Sequence, residues 1–262
     1  MLNIDEDKYY SMPVFFGGHP LRGKASMGDC EGVTLRFRSE ASFLKRFLPE
    51  GFALEMPELR FGYYECRKVS WLQGQSLSIF MVSIPVAYVG SDEGMTGILP
   101  LALWHNNVYS ILSVREEAGM PALYGEIGSK RTGNANLLVT AGFADAPFAE
   151  QEFQEVAPLS EMDVDKLNMW MPSRQFGWRY IPNLGAPGAA LSHATMMPCH
   201  VTAVSGWHGD GKVIWHKENF ARYPHQEHVL EALARIPHED RPSGVSFACQ
   251  LHLMPELARP LP

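Results

Sequence analysis

The feature that most constrains this chain is a run with no polar face. Residues 77–89 are apolar at both odd and even positions, interrupted only by Ser78, Ser83 and Pro85. A strand of that kind is covered on both sides, so it belongs in the middle of a sheet with material packed on each face. It is too short to cross a bilayer as a helix. Shorter extended runs surround it. In residues 33–38, Val33, Leu35 and Phe37 alternate with Thr34, Arg36 and Arg38, the period of a half-buried strand. Residues 59–66, 136–143 and 245–254 read the same way, and residues 98–107 and 108–114 form a long apolar pair around His105, Asn106 and Asn107. The polar loop at 90–97 predicts a hairpin. Helices are few and modest. Ser39 is placed to cap residues 40–48, which Pro49 and Gly51 stop. Ser160 and Asp163 make a capping box for a helix running to Trp170, and residues 225–236 turn Val229, Leu230, Leu233 and Ile236 to one side. Many closely spaced strands with three short helices favour an antiparallel barrel or sandwich over alternating βαβ units.

Composition narrows the function classes. The 262 residues fit one domain, expected to span 1–262, and 46% hydrophobic content supplies an ordinary core. A net charge of −7 argues against a nucleic-acid partner. No membrane segment or signal peptide is read, and Cys30, Cys66, Cys199 and Cys249 are scattered without a CxxC pair, so reduced thiols in a cytoplasmic protein are expected. The segment Gly18 to Lys24 has the spacing of a phosphate-binding loop, but Ala25 stands where a hydroxyl is needed and no strand precedes it, which leaves a surface loop. Ten histidines are present, yet none falls at a metal-ligand spacing, and no metal or cofactor is expected.

The candidate site is residues 113–131. Arg115, Glu116 and Glu117 follow the apolar run, Gly119 and Pro121 break any helix, and a period-two pattern then sets Ala122, Tyr124, Glu126 and Lys130 on one face. Carboxylate and ammonium groups on one strand face, reached through a charged turn, suggest chemistry more than packing.

The segment Arg115-Glu116 to Gly119-x-Pro121 resembles the Arg-Glu-x-x-Gly/Ala-x-Pro motif of the acetoacetate decarboxylase-like superfamily. A second feature, Ile181-Pro182-Asn183 followed by a long hairpin ending in Gly206-Trp207-His208-Gly209, is similar to the same family. The resemblance implies an α+β, mainly β fold, a cone-shaped antiparallel β-barrel with flanking helices and an internal cavity, and assembly as a homo-oligomer. It also implies a lysine after the proline that forms an imine with a keto acid. Here that position is Ala122 and the next is Leu123. The family's other charged positions fall near Gly28, at Gly62 and within the apolar run 77–86, so its catalytic set is missing.

The resemblance therefore implies an enzyme on a small carbonyl, keto-acid or polyketide-like substrate that uses acid/base chemistry: decarboxylation, dehydration, isomerisation or cyclisation. The catalytic candidates are Glu126, Arg115, Glu116, Tyr124 and Lys130; Ala122, Met120, His105, Ser192 and His193 are candidates for substrate binding. Glu126 is the favoured acid or base, with a buried ion pair to Arg115 or Arg131 as its structural alternative. Two other functions stay open: a Schiff-base lyase with Lys130 as a relocated nucleophile, and a non-catalytic binder of small molecules.

Overall fold

The computed structural model describes residues 4–5, 7–18, 25–90, 94–133 and 136–262. Among these the chain is mainly β, with thirteen strands in one sheet. Five strands come first: β1 (Ala25–Arg38), β2 (Phe52–Leu54), β3 (Glu58–Val69), β4 (Leu77–Tyr88) and β5 (Met95–His105). The short helix α1 (Ala41–Leu44) lies between β1 and β2, and α2 (Val108–Ala118) follows β5. Then come β6 (Ala122–Tyr124), β7 (Glu126–Thr132), β8 (Asn136–Phe143) and β9 (Ala146–Pro158). After α3 (Glu161–Trp170) the chain makes β10 (Arg174–Pro182) and β11 (Ala189–Trp215), then α4 (Glu227–Ala234), β12 (Ser243–Leu253) and β13 (Arg259–Pro260).

The path β10-β5-β4-β3-β1-β12-β11 closes on itself because β10 pairs with β11 as well as touching β5 at Gln175↔Ile98. Almost every pairing is antiparallel; β5 with β10 and β5 with β6 are parallel. From β11 the sheet continues outward through β9, β8 and β7. A mainly β chain with a large sheet and few helices is the class the sequence pointed to.

Two cores result, one on each side of the ring strands. Leu77, Met81 and Leu103 belong to the inner cluster; Phe80, Val82, Ile84 and Trp104 belong to the outer one, which β8, β9 and α4 cover with Val139, Phe148, Phe153 and Leu230. This is why the run 77–89 is apolar at both odd and even positions: β4 lies between β3 and β5 and is buried on both faces. A register shift between Val82 and Ser83 brings even-numbered Ile98 inward beside odd-numbered Leu103 on β5. The same logic explains the Gly206–Gly209 motif. β11 runs from β10 past β12 to β9, with irregularities at Ala203/Ser205 and His208/Gly209. A methyl group at Gly206 would run into the Ser246 carbonyl oxygen, and one at Gly209 into that of Gln154. Only glycine lets the strand pass that closely.

Several local expectations need correction. Residues 108–114 are not an extended partner of 98–107 but the first part of α2. Asn107 caps it by accepting from Ser110 N at 3.2 Å, a tertiary placement that overrides the apolar run. Arg115, Glu116 and Glu117 are in the last turns of that helix, not in a charged turn. Ser39 caps nothing: its hydroxyl donates to Pro237 O at 2.6 Å, and Glu40 is the N-cap of α1. The period-two run after Pro121 is two strands, β6 on β5 and β7 on β8, broken at Gly125. The capping box of Ser160 and Asp163 is present. The phosphate-loop segment falls largely on residues 19–24, outside the described residues.

Gln151 of β9 is fully buried opposite Val139 and Val213, and neither its Oε1 nor its Nε2 has a hydrogen-bond partner among the described residues. An unpaired buried amide costs stability. Gln151→Met is expected to stabilise the protein by about 1 kcal/mol, read as a higher urea midpoint with unchanged slope; a lower midpoint would show that the amide is satisfied.

Candidate active site

Every strand of the closed path sends a side chain into one hollow: Met27 from β1, Tyr64 from β3, Met81 from β4, His105 from β5, Gln175 from β10, Met197 from β11 and Leu251 from β12. α2 covers it with Ser110 and Val114. The helix is fixed there by its C-terminus. Gly119 adopts φ +67° and lets the chain fold back so that Met120 N bonds Val114 O at 3.0 Å, which turns the Met120 side chain inward. Gly119 also lies so close to β10 that an added methyl would be 2.7 Å from Arg179 N. The remaining wall includes Ile79, Ile98, Leu103, Val201 and Leu253, and the volume is about 60 Å³. That is well below the roughly 150 Å³ that accommodates benzene, but four lining residues are methionines, whose unbranched thioethers repack readily.

Three titratable groups face this hollow. His105 is 3% exposed, and Nδ1 lies 2.9 Å from Ser110 Oγ. Burial without a charged partner pulls its pKa down to about 3, so the imidazole is neutral. The Tyr64 phenol lies beside the Thr34 hydroxyl, and burial pushes its pKa up to about 12, keeping it a donor. Cys199 donates to Pro172 O at 3.2 Å and is likewise raised to about 12 by burial, so it is a thiol and not a nucleophilic thiolate.

A smaller extension shares Tyr64, Met81, Ile98 and Pro172 with the hollow and adds Thr34, Arg60, Gly62, Ser83 and Trp170. Arg60 is 7% exposed; its Nε donates to Glu58 Oε1 at 2.6 Å, and its guanidinium stacks 4.3 Å from the Trp170 ring. Arg36, opposite Arg60 on β1, stacks on the same ring at 4.7 Å. Ser83, opposite Arg60 on the other side, is 1% exposed with no partner for its hydroxyl.

Of the residues singled out from sequence, His105 and Met120 line this hollow. Ala122 is 1% exposed within the inner cluster. The others are elsewhere. Glu126 is exposed on β7 and accepts from Ala144 N at 3.2 Å, bracing the turn between β8 and β9; the expected ion pairs are not its role, because Arg131 bonds Glu155 and Glu31 instead. Arg115 and Glu116 are exposed on α2, and Lys130 is exposed on β7 opposite Leu138. Tyr124 packs edge-on against Phe143 at the surface. Ser192 is exposed and accepts from Trp178 Nε1; His193 is half-buried with Nδ1 on Ala194 O. Among the described residues every lysine is exposed. Tyr64, Arg60 and Ser83 were not named from sequence. Splitting residues 59–66 by parity would have put Arg60, Gly62 and Tyr64 on one face, and Ser83 was a polar interruption in the most apolar run. The cysteines also gather: Cys30 is in register with Cys66 on one side and Cys249 on the other. All four are free, and no group of three or more His, Cys, Asp or Glu side chains is set to hold a metal ion among the described residues.

A ring of strands around an apolar hollow with a few fixed polar groups has the general form of a small-molecule site. The protein's family is shown by sequence: the model of the acetoacetate decarboxylase (ADC) family matches residues 11–241, and the chain belongs to that family. Among solved structures, an acetoacetate decarboxylase from Legionella pneumophila is 17% identical, with a TM-score of 0.77 over 97% of this chain and 93% of that one. The enduracididine biosynthesis enzyme MppR, solved with pyruvate, is 12% identical, with a TM-score of 0.71 over 96% and 95%. An acetoacetate decarboxylase-like enzyme from Sphingomonas wittichii RW1 is 14% identical, with a TM-score of 0.69 over 91% and 93%. No curated protein matches the sequence. At these identities the structural likeness is one of fold. Family and fold together support an acetoacetate decarboxylase-like enzyme. No helix among the described residues is long and apolar enough to cross a membrane.

Proposed function

We propose that this protein is an acetoacetate decarboxylase-like enzyme that acts on a small carbonyl or keto-acid substrate without forming an imine. The observation that carries this reading is that the described lysines are all exposed while the hollow is walled by a neutral phenol and a neutral imidazole. Decarboxylation, dehydration, isomerisation and cyclisation of carbonyl compounds share one difficulty, negative charge on the carbonyl oxygen as an enolate develops. Tyr64 is placed to donate a hydrogen bond to that oxygen, in an apolar setting where such a bond counts most. His105, oriented by Ser110, offers its other ring nitrogen to a proton at the adjacent carbon. Glu126 and Lys130 have no part, being exposed on β7.

The test is solvent exchange. Pyruvate or acetoacetate incubated with the protein in D₂O is expected to take up deuterium next to the carbonyl, with Tyr64→Phe and His105→Gln each slowing uptake about a hundredfold, the lower end for loss of one oxyanion donor or one acid/base group. Sodium borohydride added with either compound is expected to leave the protein's mass unchanged. A reduced adduct on any lysine would reject the imine-free reading, and uptake unaffected by Y64F would remove the phenol from the mechanism.

A further inference from the structure

The hollow does not stop at α2. It shares Trp71, Val114, Met197 and Leu253 with a third space of about 290 Å³, lined further by Ala25, Ala118 and Pro255. Of that vestibule's lining residues only Glu117 is charged. The three spaces thus run in sequence: a polar end under Trp170, a middle with Tyr64 and His105, and an apolar mouth behind Trp71.

We infer that the substrate is an amphipathic carbonyl acid, its carboxylate held by Arg60 and Ser83 and its apolar chain lying through the mouth past Trp71 and Met197. This rests on the reading of the hollow as the substrate's site and adds what the substrate must look like. At the polar end, Glu58 occupies one edge of the Arg60 guanidinium, and the Nη2 nitrogen lies against Met56 Sδ at 3.9 Å. Arg36 adds a second guanidinium on the same indole, so Arg36, Arg60 and Glu58 together carry one surplus positive charge. The Ser83 hydroxyl, buried and unpartnered, faces that end and would be satisfied by a carboxylate oxygen. At the other end, a middle of about 60 Å³ is too small for anything beyond a few heavy atoms, whereas the vestibule is nearly five times larger and lined mainly by apolar side chains, with Ser70, Ser113 and Glu117 as its polar members. A small keto acid would leave that space to water; an alkyl chain would fill it.

Binding of straight-chain 2-oxo acids from pyruvate to 2-oxodecanoate, followed by ligand-observed NMR and calorimetry, tests this. Each methylene beyond the first few is expected to tighten Kd about fourfold. Ser83→Ala is expected to weaken 2-oxooctanoate at least fivefold and to leave 2-octanone, which lacks the carboxylate, unchanged. Ala25→Trp, at a residue that lines the mouth but not the hollow, is expected to abolish the chain-length trend while pyruvate still binds. A flat series, a trend surviving A25W, or equal loss of acid and ketone in S83A would each overturn the inference. The outcomes separate from those of the preceding reading: long acids that bind tightly with no deuterium uptake would sink the enzyme and keep the amphipathic ligand. Pyruvate exchanging fast with no gain from longer chains would do the reverse.

Discussion

Replacing Arg60 by methionine is expected to destabilise the protein by about 3–5 kcal/mol, because it leaves a carboxylate behind in a nearly dry place. The side chains of Arg60 and Glu58 are only 8% and 16% exposed, and they meet at 2.6 Å. Burial alone lowers the guanidinium's pKa, and the Glu58 carboxylate offsets it. With Arg60 gone, Glu58 keeps its desolvation without its partner, and Trp170 loses one of its two stacked cations. The converse change, Glu58→Met, leaves Arg36 and Arg60 facing each other across adjacent strands and should also destabilise. A double replacement, R60M with E58M, is expected to cost clearly less than the two singles summed, since it removes the charge problem along with the pair. Urea unfolding of the four proteins gives the coupling. A loss under 1 kcal/mol for R60M would mean that Glu58 is well solvated in solution.

The second large effect concerns pH. His105 is protonated with a pKa of about 3 in the folded protein against about 6.5 for a free histidine. Between those values the unfolded chain binds a proton that the folded chain refuses, so stability is present above pH 6.5 and is lost as pH falls toward 3. From pH 7 to pH 5 this one residue is expected to remove about 2 kcal/mol, and more below. His105→Gln should lose that share of the pH dependence, measured as the difference in urea midpoint at the two values. If wild type and variant lose stability in parallel, the imidazole is not buried as described. The same low pKa means that any activity depending on His105 should show no ionisation near 6.5.

How far the sequence carried the fold depended on where the information sat. β4 was legible because double-sided burial leaves no polar position to mislead, and α3 because a capping box is a local signal read from Ser160 and Asp163 alone. α2 was not, since its helicity is set by Asn107 and by docking of Gly119 on β10, while its own residues include four with β-branching or an aromatic ring in the first seven. The position of Glu126 was misread for a related reason. Glu126 was placed by extending one strand's alternation past Gly125, yet the chain changes partner there, and with it the face. Polar residues inside apolar runs, such as Ser83, were the better pointer to the interior than charged residues beside a motif.

One consequence of the closed path concerns how the chain gets there. β1 is hydrogen-bonded along most of its length to β12, whose residues lie more than two hundred positions downstream, as the pairing Leu35↔Gly244 shows. The earliest strand of the ring therefore waits for almost the latest one. Until β12 is made, β1 presents a bare edge with Val33, Leu35 and Phe37 beside it, the kind of surface on which newly synthesised chains stick to one another. Folding of this chain is expected to be slow for its size, because the ring cannot close until β12 is made.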